Sequence, residues 1–463
     1  MALATAGAFL KESSISFSEY LQQYEAKWEV VLGDKEELPD YPTRTLYTTW
    51  DLSLTQIKQQ NAQAAKLLAF LAYFDHQDIW YELLRAGQGA DRPTWFTELV
   101  RDKFSFESAM RTLTRYCLVE SPCQTGSYSL HVCIHDWTLN GLNRDINTNQ
   151  YWLAFDCVAG HVRPRDWDDL SALGYRRITP HAVRLVHERF QQKWLQGKLS
   201  RAWGIGRLLH QQIQYKAAER MYLHVLGGYE KALGSDHTPS LYTVHNLGLL
   251  YYDQGKLAKA EQMYERALAG MEKELGPDHT STLYTVNNLG LLYRDQGKLA
   301  EAEQMYERAL AGKEKALGPD HTSTLYTVNN LGNLYRDQGR QAEAEQMFGR
   351  ALAGKEKALG PDHTSTLSTV HNLGVLYRDQ GKLAEAEQMF GRALAGREKA
   401  LGPDHTSTLP TLHNLGLLYR DQGKLAEAEQ MFERALAGKV KALGPDHLRE
   451  IHVEPEPRLQ PRD

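Results

Sequence analysis

Along residues 322–363 the apolar side chains fall into two runs of helical spacing. Val328, Leu331, Leu334 and Tyr335 follow an i, i+3, i+6, i+7 pattern, and Ala344, Met347, Phe348, Ala351 and Leu352 form a second stripe. The pattern predicts two helices separated by the turn DQG, with Gly339 as its punctuation. At Leu359-Gly360-Pro361 the second helix is expected to stop, because glycine supplies a left-handed cap and proline cannot continue the helix. Asp362 or Thr364 is the expected N-cap of whatever follows. The predicted unit is an antiparallel helix pair.

That unit is repeated. Asp-His-Thr recurs at Asp236, Asp278, Asp320, Asp362 and Asp404, and Asp446-His447 closes the series. Every step is 42 residues, and residues 280–321 and 322–363 differ at five positions, so the copies are recent duplicates. A fixed period in this range predicts an all-α solenoid in which each unit buries its apolar face on its neighbours. Gly248, Gly290, Gly332, Gly374 and Gly416, with Ala260, Ala302, Ala344, Ala386 and Ala428, are small enough for close helix approach. Tyr251, Tyr293, Tyr335, Tyr377 and Tyr419 are expected to wedge between helices. A degenerate first unit aligns Gly206 with Gly248 and Ala218–Tyr222 with Ala260–Tyr264, giving six units over 201–447. The charged, proline-rich stretch 448–463 is predicted to be disordered.

The patterns N-L-G-x-L-Y and A-E-x-x-Y/F-x-x-A-L resemble the tetratricopeptide repeat. The 42-residue period and the linker KEKALGPDH resemble the kinesin light chain version of it. The resemblance implies a right-handed superhelix whose first helices line a concave groove for protein or peptide partners. On the family's pattern Asn246, Asn288, Asn330, Asn372 and Asn414 point into that groove. A side-chain amide both donates and accepts, so such a column suits an extended peptide backbone of any sequence. Beside it lie His245, Asn287, Asn329, His371 and His413, then Leu249, Leu291, Asn333, Val375 and Leu417 one turn on. Arg294, Arg336, Arg378 and Arg420, with Tyr252 in the earlier copy, suit an acidic ligand, since guanidinium pairs carboxylate bidentately. Two plainer roles stand beside these. The asparagines can bond the neighbouring repeat, and the arginines can be neutralised by Asp295, Asp337, Asp379 and Asp421, which follow them directly.

The front of the chain is a different domain. RTLYTTWDLSLTQI and AQAAKLLAFLAYF read as two amphipathic helices and SFESAMRTLTRYCLVE as a third, followed by a two-stranded wing in LVESPCQTGSYSLHVCI. Residues 35–145 are therefore expected to form a winged helix, with 146–200 a helical connector carrying Trp152, Trp167 and Trp194. The stretches ALATAGAFL, RTLYTTWDLS, AYFDHQDIWYELL and CIHDW resemble the winged-helix region of fungal NB-ARC receptors. Residues 1–34 then correspond to a helical remnant of the preceding region, with the chain beginning inside a motif that ends the nucleotide-binding portion. No G-x-x-x-x-G-K-[ST] occurs; Gly197-Lys198 is followed by Leu199. The resemblance makes His135 a vestigial nucleotide sensor with Asp136 beside it, Ile134 standing in for the family's methionine. Asp136 is expected to act as a helix N-cap.

Charge and composition narrow the function. The net charge of −5 supplies no basic field for nucleic acid or an anionic membrane. The candidate recognition helix, Ser105 to Tyr116, offers only Arg111 and Arg115 against Glu107, so no DNA contact is expected. The longest apolar run, Ala64 to Phe74, contains Lys66 and falls short of the roughly 20 residues that cross a bilayer. MALATAGAFL lacks a basic n-region and reads as a packed helix end. Cys117, Cys123, Cys133 and Cys157 form no C-x-x-C pair and suit free thiols in a cytoplasmic protein. No nucleophile, base and oxyanion site can be assembled, so neither enzyme activity nor a cofactor is expected. The leading expectation is a non-catalytic scaffold that holds peptide segments in its groove. One alternative is a sensor fragment of a nucleotide-switched receptor that docks on a nucleotide-binding domain in another chain. The other is a kinesin light chain-like cargo adaptor, weakened because residues 1–35 hold no heptad coiled coil.

Overall fold

The structure, a computed structural model, describes residues 2–13, 15–24, 41–121, 126–162, 172–187 and 198–443. The expected tail 448–463, Trp167, Trp194 and Cys123 lie outside the described residues. The chain divides into two compact units, Met1–Ser235 and Asp236–Asp463.

The second unit is a solenoid of five helix pairs. The first and second helices are Thr238–Asp253 and Leu257–Glu274 in repeat 2, and Thr280–Asp295 and Leu299–Leu317 in repeat 3. Repeat 4 is Thr322–Asp337 with Gln341–Leu359, repeat 5 is Thr364–Asp379 with Leu383–Leu401, and repeat 6 is Leu409–Asp421 with Leu425–Leu443. The expected stripes are the core: Val328, Leu331, Leu334, Ala344, Phe348 and Ala351 are fully buried. One apolar cluster runs from Ala302 and Tyr306 through repeat 4 to Leu373 and Leu376, so each pair completes its core on both neighbours.

The closest approach within a pair is set by glycine. A Cβ added at Gly332 would sit 2.7 Å from the Phe348 ring, and one at Gly354 would meet Leu325 at 2.6 Å. The two helices interlock through these contacts, each glycine receiving a large side chain of the other helix.

Three end signals need correction. The helix that closes on a left-handed glycine is the first one: Gly339 has φ 77°, and the Arg340 N–H donates to the Tyr335 carbonyl at 2.8 Å in a Schellman arrangement. Gly360 at the end of the second helix has φ 95° with ψ 163°, a positive-φ extended conformation that is essentially confined to glycine. The N-cap is neither Asp362 nor Thr364 but His363, whose Nδ1 accepts the Ser365 N–H at 3.2 Å. His279 and His321 cap their helices likewise. In repeat 2 the residue two beyond His237 is Pro239, which has no N–H to offer, and His237 makes no side-chain cap. Asp362 instead pairs with Lys399 at 3.0 Å. Pro410, where other copies have Tyr or Ser, delays the last first helix to Leu409.

The first unit begins with Ala2–Ser13, Tyr41–Gln60 and Ala62–Leu71. The expected third helix is Lys103–Arg115, and two short helices unforeseen in the sequence, Tyr81–Arg85 and Thr94–Leu99, precede it. Ala62–Leu71 is amphipathic as expected: Ala64, Ala65, Leu67, Leu68, Phe70 and Leu71 are buried, while Ala62 and Lys66 are exposed on one face. The expected hairpin is reduced to one bridge, Glu120 with Ser129; Ser127–Tyr128 pairs instead with Ile79–Trp80, antiparallel. Burial favours this pairing, since Ile79 and Trp80, on opposite faces of the strand, are both buried. Asp136 is no cap: it is exposed inside Val132–Trp137, whose N-cap is His131. The connector contributes Thr148–Ala159 and Ala172–Leu185, and the first repeat pair, Leu199–Gln211 and Tyr215–Leu233, completes the unit.

Two helical glycines separate steric need from duplication. Gly332→Ala is expected to lower stability by about 1–3 kcal/mol through overpacking on Phe348. Gly349 has nothing within 4 Å of an added Cβ, and repeats 2, 3 and 6 carry Glu265, Glu307 and Glu433 there, so Gly349→Ala is expected to gain up to about 1 kcal/mol. Urea titration of both variants checks the opposite signs.

Candidate partner-binding face of the repeats

The asparagine column is tied into a ladder between repeats. Asn330 Nδ2 donates to Asn287 Oδ1 at 3.3 Å, and Thr327 Oγ1 donates to the same oxygen at 3.0 Å. One repeat on, Asn372 and Thr369 converge on Asn329 at 3.3 and 3.0 Å. Where the acceptor is histidine the geometry persists: Asn288 and Thr285 meet His245 at 3.3 and 2.9 Å, and Asn414 and Thr411 meet His371 at 3.4 and 3.2 Å. Asn288 and Asn330 are each only 5% exposed. Asn246 is half-buried and bonds the Tyr242 carbonyl of its own helix at 2.7 Å. Each of these amides thus makes at least one bond within the protein.

Behind the ladder stands a column that inspection of the sequence missed. Lys313 Nζ donates to Thr327 Oγ1 at 2.9 Å, Lys355 to Thr369 at 3.0 Å, and Arg397 to Thr411 at 2.6 Å. Lys313 and Lys355 are 1% and 2% exposed, and neither has a carboxylate within ion-pair distance among the described residues. Burial without a counter-charge pulls both amines down to about 8. In repeat 2 the same place holds Met271, whose sulfur lies 3.3 Å from Thr285 Oγ1. Lysine pairs with an asparagine acceptor, whereas methionine and arginine pair with histidine. The 42-residue period marks these positions, but duplication copies every position alike and so does not single them out.

The arginine column is largely neutralised. Arg294 lies 2.8 Å from Asp295 and 3.6 Å from Asp337 of the next repeat; Arg336 lies 2.9 Å from Asp337 and 4.0 Å from Asp379. Arg378 reaches Asp379 at 3.4 Å and Asn414 Oδ1 at 3.0 Å, and Tyr252 donates to Asp295. Arg420 is the most open, 3.6 Å from Asp421. Leu291, Asn333 and Val375 are half-buried. What this face leaves outward is tyrosine, with Tyr284 44% and Tyr326 41% exposed at equivalent positions of successive repeats.

The tetratricopeptide repeat profile matches residues 198–273, 239–315, 280–357, 327–399 and 365–439, together more than half of the chain. The chain belongs to the tetratricopeptide repeat family. As a tetratricopeptide repeat scaffold it has an architecture consistent with protein–protein interaction, and no enzyme family is indicated. Among solved structures it is similar to a kinesin light chain-like protein of Podosopora anserina with nearly identical TPR-like repeats. The two are 28% identical over 44% of this chain and 96% of that one, with a TM-score of 0.37. BtubC of P. vanneervenii is 22% identical over 58% of this chain and 99% of that one, TM-score 0.37. A signal transduction ATPase with numerous domains and a tetratricopeptide repeat sensor, from Pyrococcus horikoshii, shares the fold over 96% of this chain and 60% of that one, at 14% identity and TM-score 0.53. No curated protein matches the chain.

In the first unit, His135 is buried with Nε2 2.9 Å from the Phe74 carbonyl, and desolvation takes it down to about 4. Among the described residues no cluster of metal-ligating side chains occurs, and no helix is long and apolar enough to cross a membrane.

Two pH responses follow for the tetratricopeptide ladder. Burial depresses His245 to about 4 and His371 to about 3, against about 6.5 in an unfolded chain. Between these values the unfolded state binds more protons, so stability falls as pH drops from about 6.5 to 4. His245→Asn/His371→Asn, which installs the acceptor of repeats 3 and 4, is expected to recover about 1–2 kcal/mol per site at pH 5 in urea titrations. The lysines act in another window. The unfolded amine titrates near 10.4, so stability rises with pH above about 8. Lys313→Met/Lys355→Met is expected to be more stable than the parent at pH 7.5 and to lose the rise between pH 8 and 9.5, read from thermal melts below the range of tyrosine ionisation.

Proposed function

We propose that the first-helix face of repeats 2–5 is a non-catalytic docking surface for extended peptide segments of partner proteins. The observation that carries this is the pair Tyr284 and Tyr326, half-exposed on a rigid helical array whose other large apolar side chains are mostly inside. Tyrosine offers broad apolar contact and a hydroxyl with few torsions to freeze, which is why it anchors many interfaces. The groove residues Asn288, Asn330, Asn372 and Asn414 then serve mainly to hold the repeats in register beneath the ligand, while Asn246 bonds its own helix. Acidic character in the partner rests on the repeat resemblance alone, since Arg294, Arg336 and Arg378 are paired with aspartates and Lys313, Lys355 and Arg397 are buried.

A second function, as the sensor portion of a nucleotide-switched receptor, is supported by the fold likeness to the Pyrococcus horikoshii protein over nearly the whole chain. In that case residues 35–145 form the winged-helix part, with His135 a vestige, and the first unit docks on a nucleotide-binding domain in another chain. The cargo-adaptor alternative has no observation of its own beyond the repeat type.

Fluorescence anisotropy with a labelled peptide carrying one aromatic residue between glutamates tests the docking surface. Tyr284→Ala/Tyr326→Ala is expected to weaken binding by at least about tenfold, the loss of two interface anchors of roughly 1 kcal/mol or more each. Circular dichroism should show the helices unchanged. Equal binding by parent and variant would remove the tyrosine face from consideration.

A further inference from the structure

The first unit holds a second charged site, unrelated to the repeat face. Asp156, on the helix Thr148–Ala159, is 1% exposed and is met by three cations: Arg92 at 2.8 Å, Lys198 and Arg201. Among the described residues one buried carboxylate answers one of these charges, leaving an excess of two at the contact, and Asp91, exposed on the rim, forms no ion pair with any of the three. Mutual repulsion would spread three such side chains apart, and buried Asp156 holds them together instead.

The cluster borders open space. A cavity of about 480 Å³ is lined by Gly89, Arg92, Asp156, Lys198, Ser200 and Arg201, among others, within the size range of small-molecule sites. Arg201 presents about half of its side chain to solvent and Lys198 about a third. Arg92 Nε is buried with no hydrogen-bond partner, an orphaned donor of a kind that folded proteins rarely keep. A Cβ on Gly89 would stand 3.3 Å from that same Nε, so the glycine keeps the space beside it clear. Lys198 adopts φ 65°, a conformation uncommon outside glycine.

We propose that this cleft binds a small, free phosphate-class dianion. Two negative charges match the excess, and the tetrahedral oxygens supply acceptors for the guanidinium edges of Arg92 and Arg201 and for the Lys198 ammonium. An uncharged ligand would leave the excess uncompensated, and a monoanion would cover half of it.

Isothermal titration of the full chain with inorganic phosphate, a dianion at mildly alkaline pH, at constant ionic strength tests this, with acetate as the monoanionic control. Saturable one-to-one binding of inorganic phosphate and none of acetate is the expected result. Arg201→Gln, at a half-exposed position and leaving Arg92 and Lys198 on Asp156, should weaken binding at least tenfold. Arg92→Lys keeps the charge on Asp156 but removes the orphaned Nε, and should weaken it as well; Lys216→Gln, exposed elsewhere on the unit, should not. Absence of saturable heat, equal response to acetate, or parent-like affinity in Arg201→Gln would overturn the proposal. Retention of the chain by phosphatidate-containing vesicles, lost in Arg201→Gln, would overturn the assignment to a free ligand.

Discussion

The repeat unit depends on one contact, a glycine of the first helix against an aromatic ring of the second. Gly248 meets Tyr264, Gly290 meets Tyr306, Gly332 meets Phe348, Gly374 meets Phe390 and Gly416 meets Phe432, each with less than 3 Å between the ring and the place where a Cβ would stand. The ring occupies the volume a side chain would take, so the helices can neither close further nor separate without opening a void. Because that spacing is copied five times, every repeat offers its successor the same surface. The reciprocal contacts of Leu283, Leu325 and Leu367 with Gly312, Gly354 and Gly396 fix the other end of each pair.

Only a spacing held this tightly permits a polar ladder inside the interface. The bonds from Thr327 and Asn330 to Asn287 span residues 40 and 43 apart, and they recur with the same lengths from Thr369 and Asn372 to Asn329. A buried amide left unpaired costs more than a paired one gains, so a slipped repeat would lose on each rung. The ladder is therefore a register device. Lys313 and Lys355 add to it by donating into the same threonines, although their desolvation is a standing cost that Met271 in repeat 2 does not carry. The two units distribute charge differently. The repeats spread it along ribbons such as Arg294, Asp295 and Asp337, whereas the first unit concentrates three cations on Asp156.

Legibility in the sequence followed the range of the interaction. Helix faces around Val328 and Phe348 were readable because periodicity reports burial directly. The glycine of DQG was readable as a turn, since its backbone requirement is local. The caps were not, because histidine is a rare cap and Asp362, the more usual one, is drawn off by Lys399. Pairing of Ser127–Tyr128 with Ile79–Trp80 was equally hidden, since local pattern favours a hairpin and only long-range burial selects the distant strand. At the candidate face the residue types were visible and their directions were not. Asparagine suits a peptide or a neighbouring repeat equally well, and no property of residue 330 alone separates the two.

The sequence by itself determined an all-α repeat, its period, its two helix faces and the small residues that let them meet, because these follow from spacing along one chain. The tertiary structure decided which side of each helix is spent on the next repeat. It turned Asn288 and Asn330 inward, hid Lys313 behind them, neutralised Arg294 with Asp337 from the following unit and left Tyr284 and Tyr326 outside. It also gathered Arg92, Asp156, Lys198 and Arg201 from segments far apart in the chain. The physical reason is the same throughout: a hydrogen bond or ion pair is specified by where two groups end up, and only packing places groups from distant segments within 3 Å of each other.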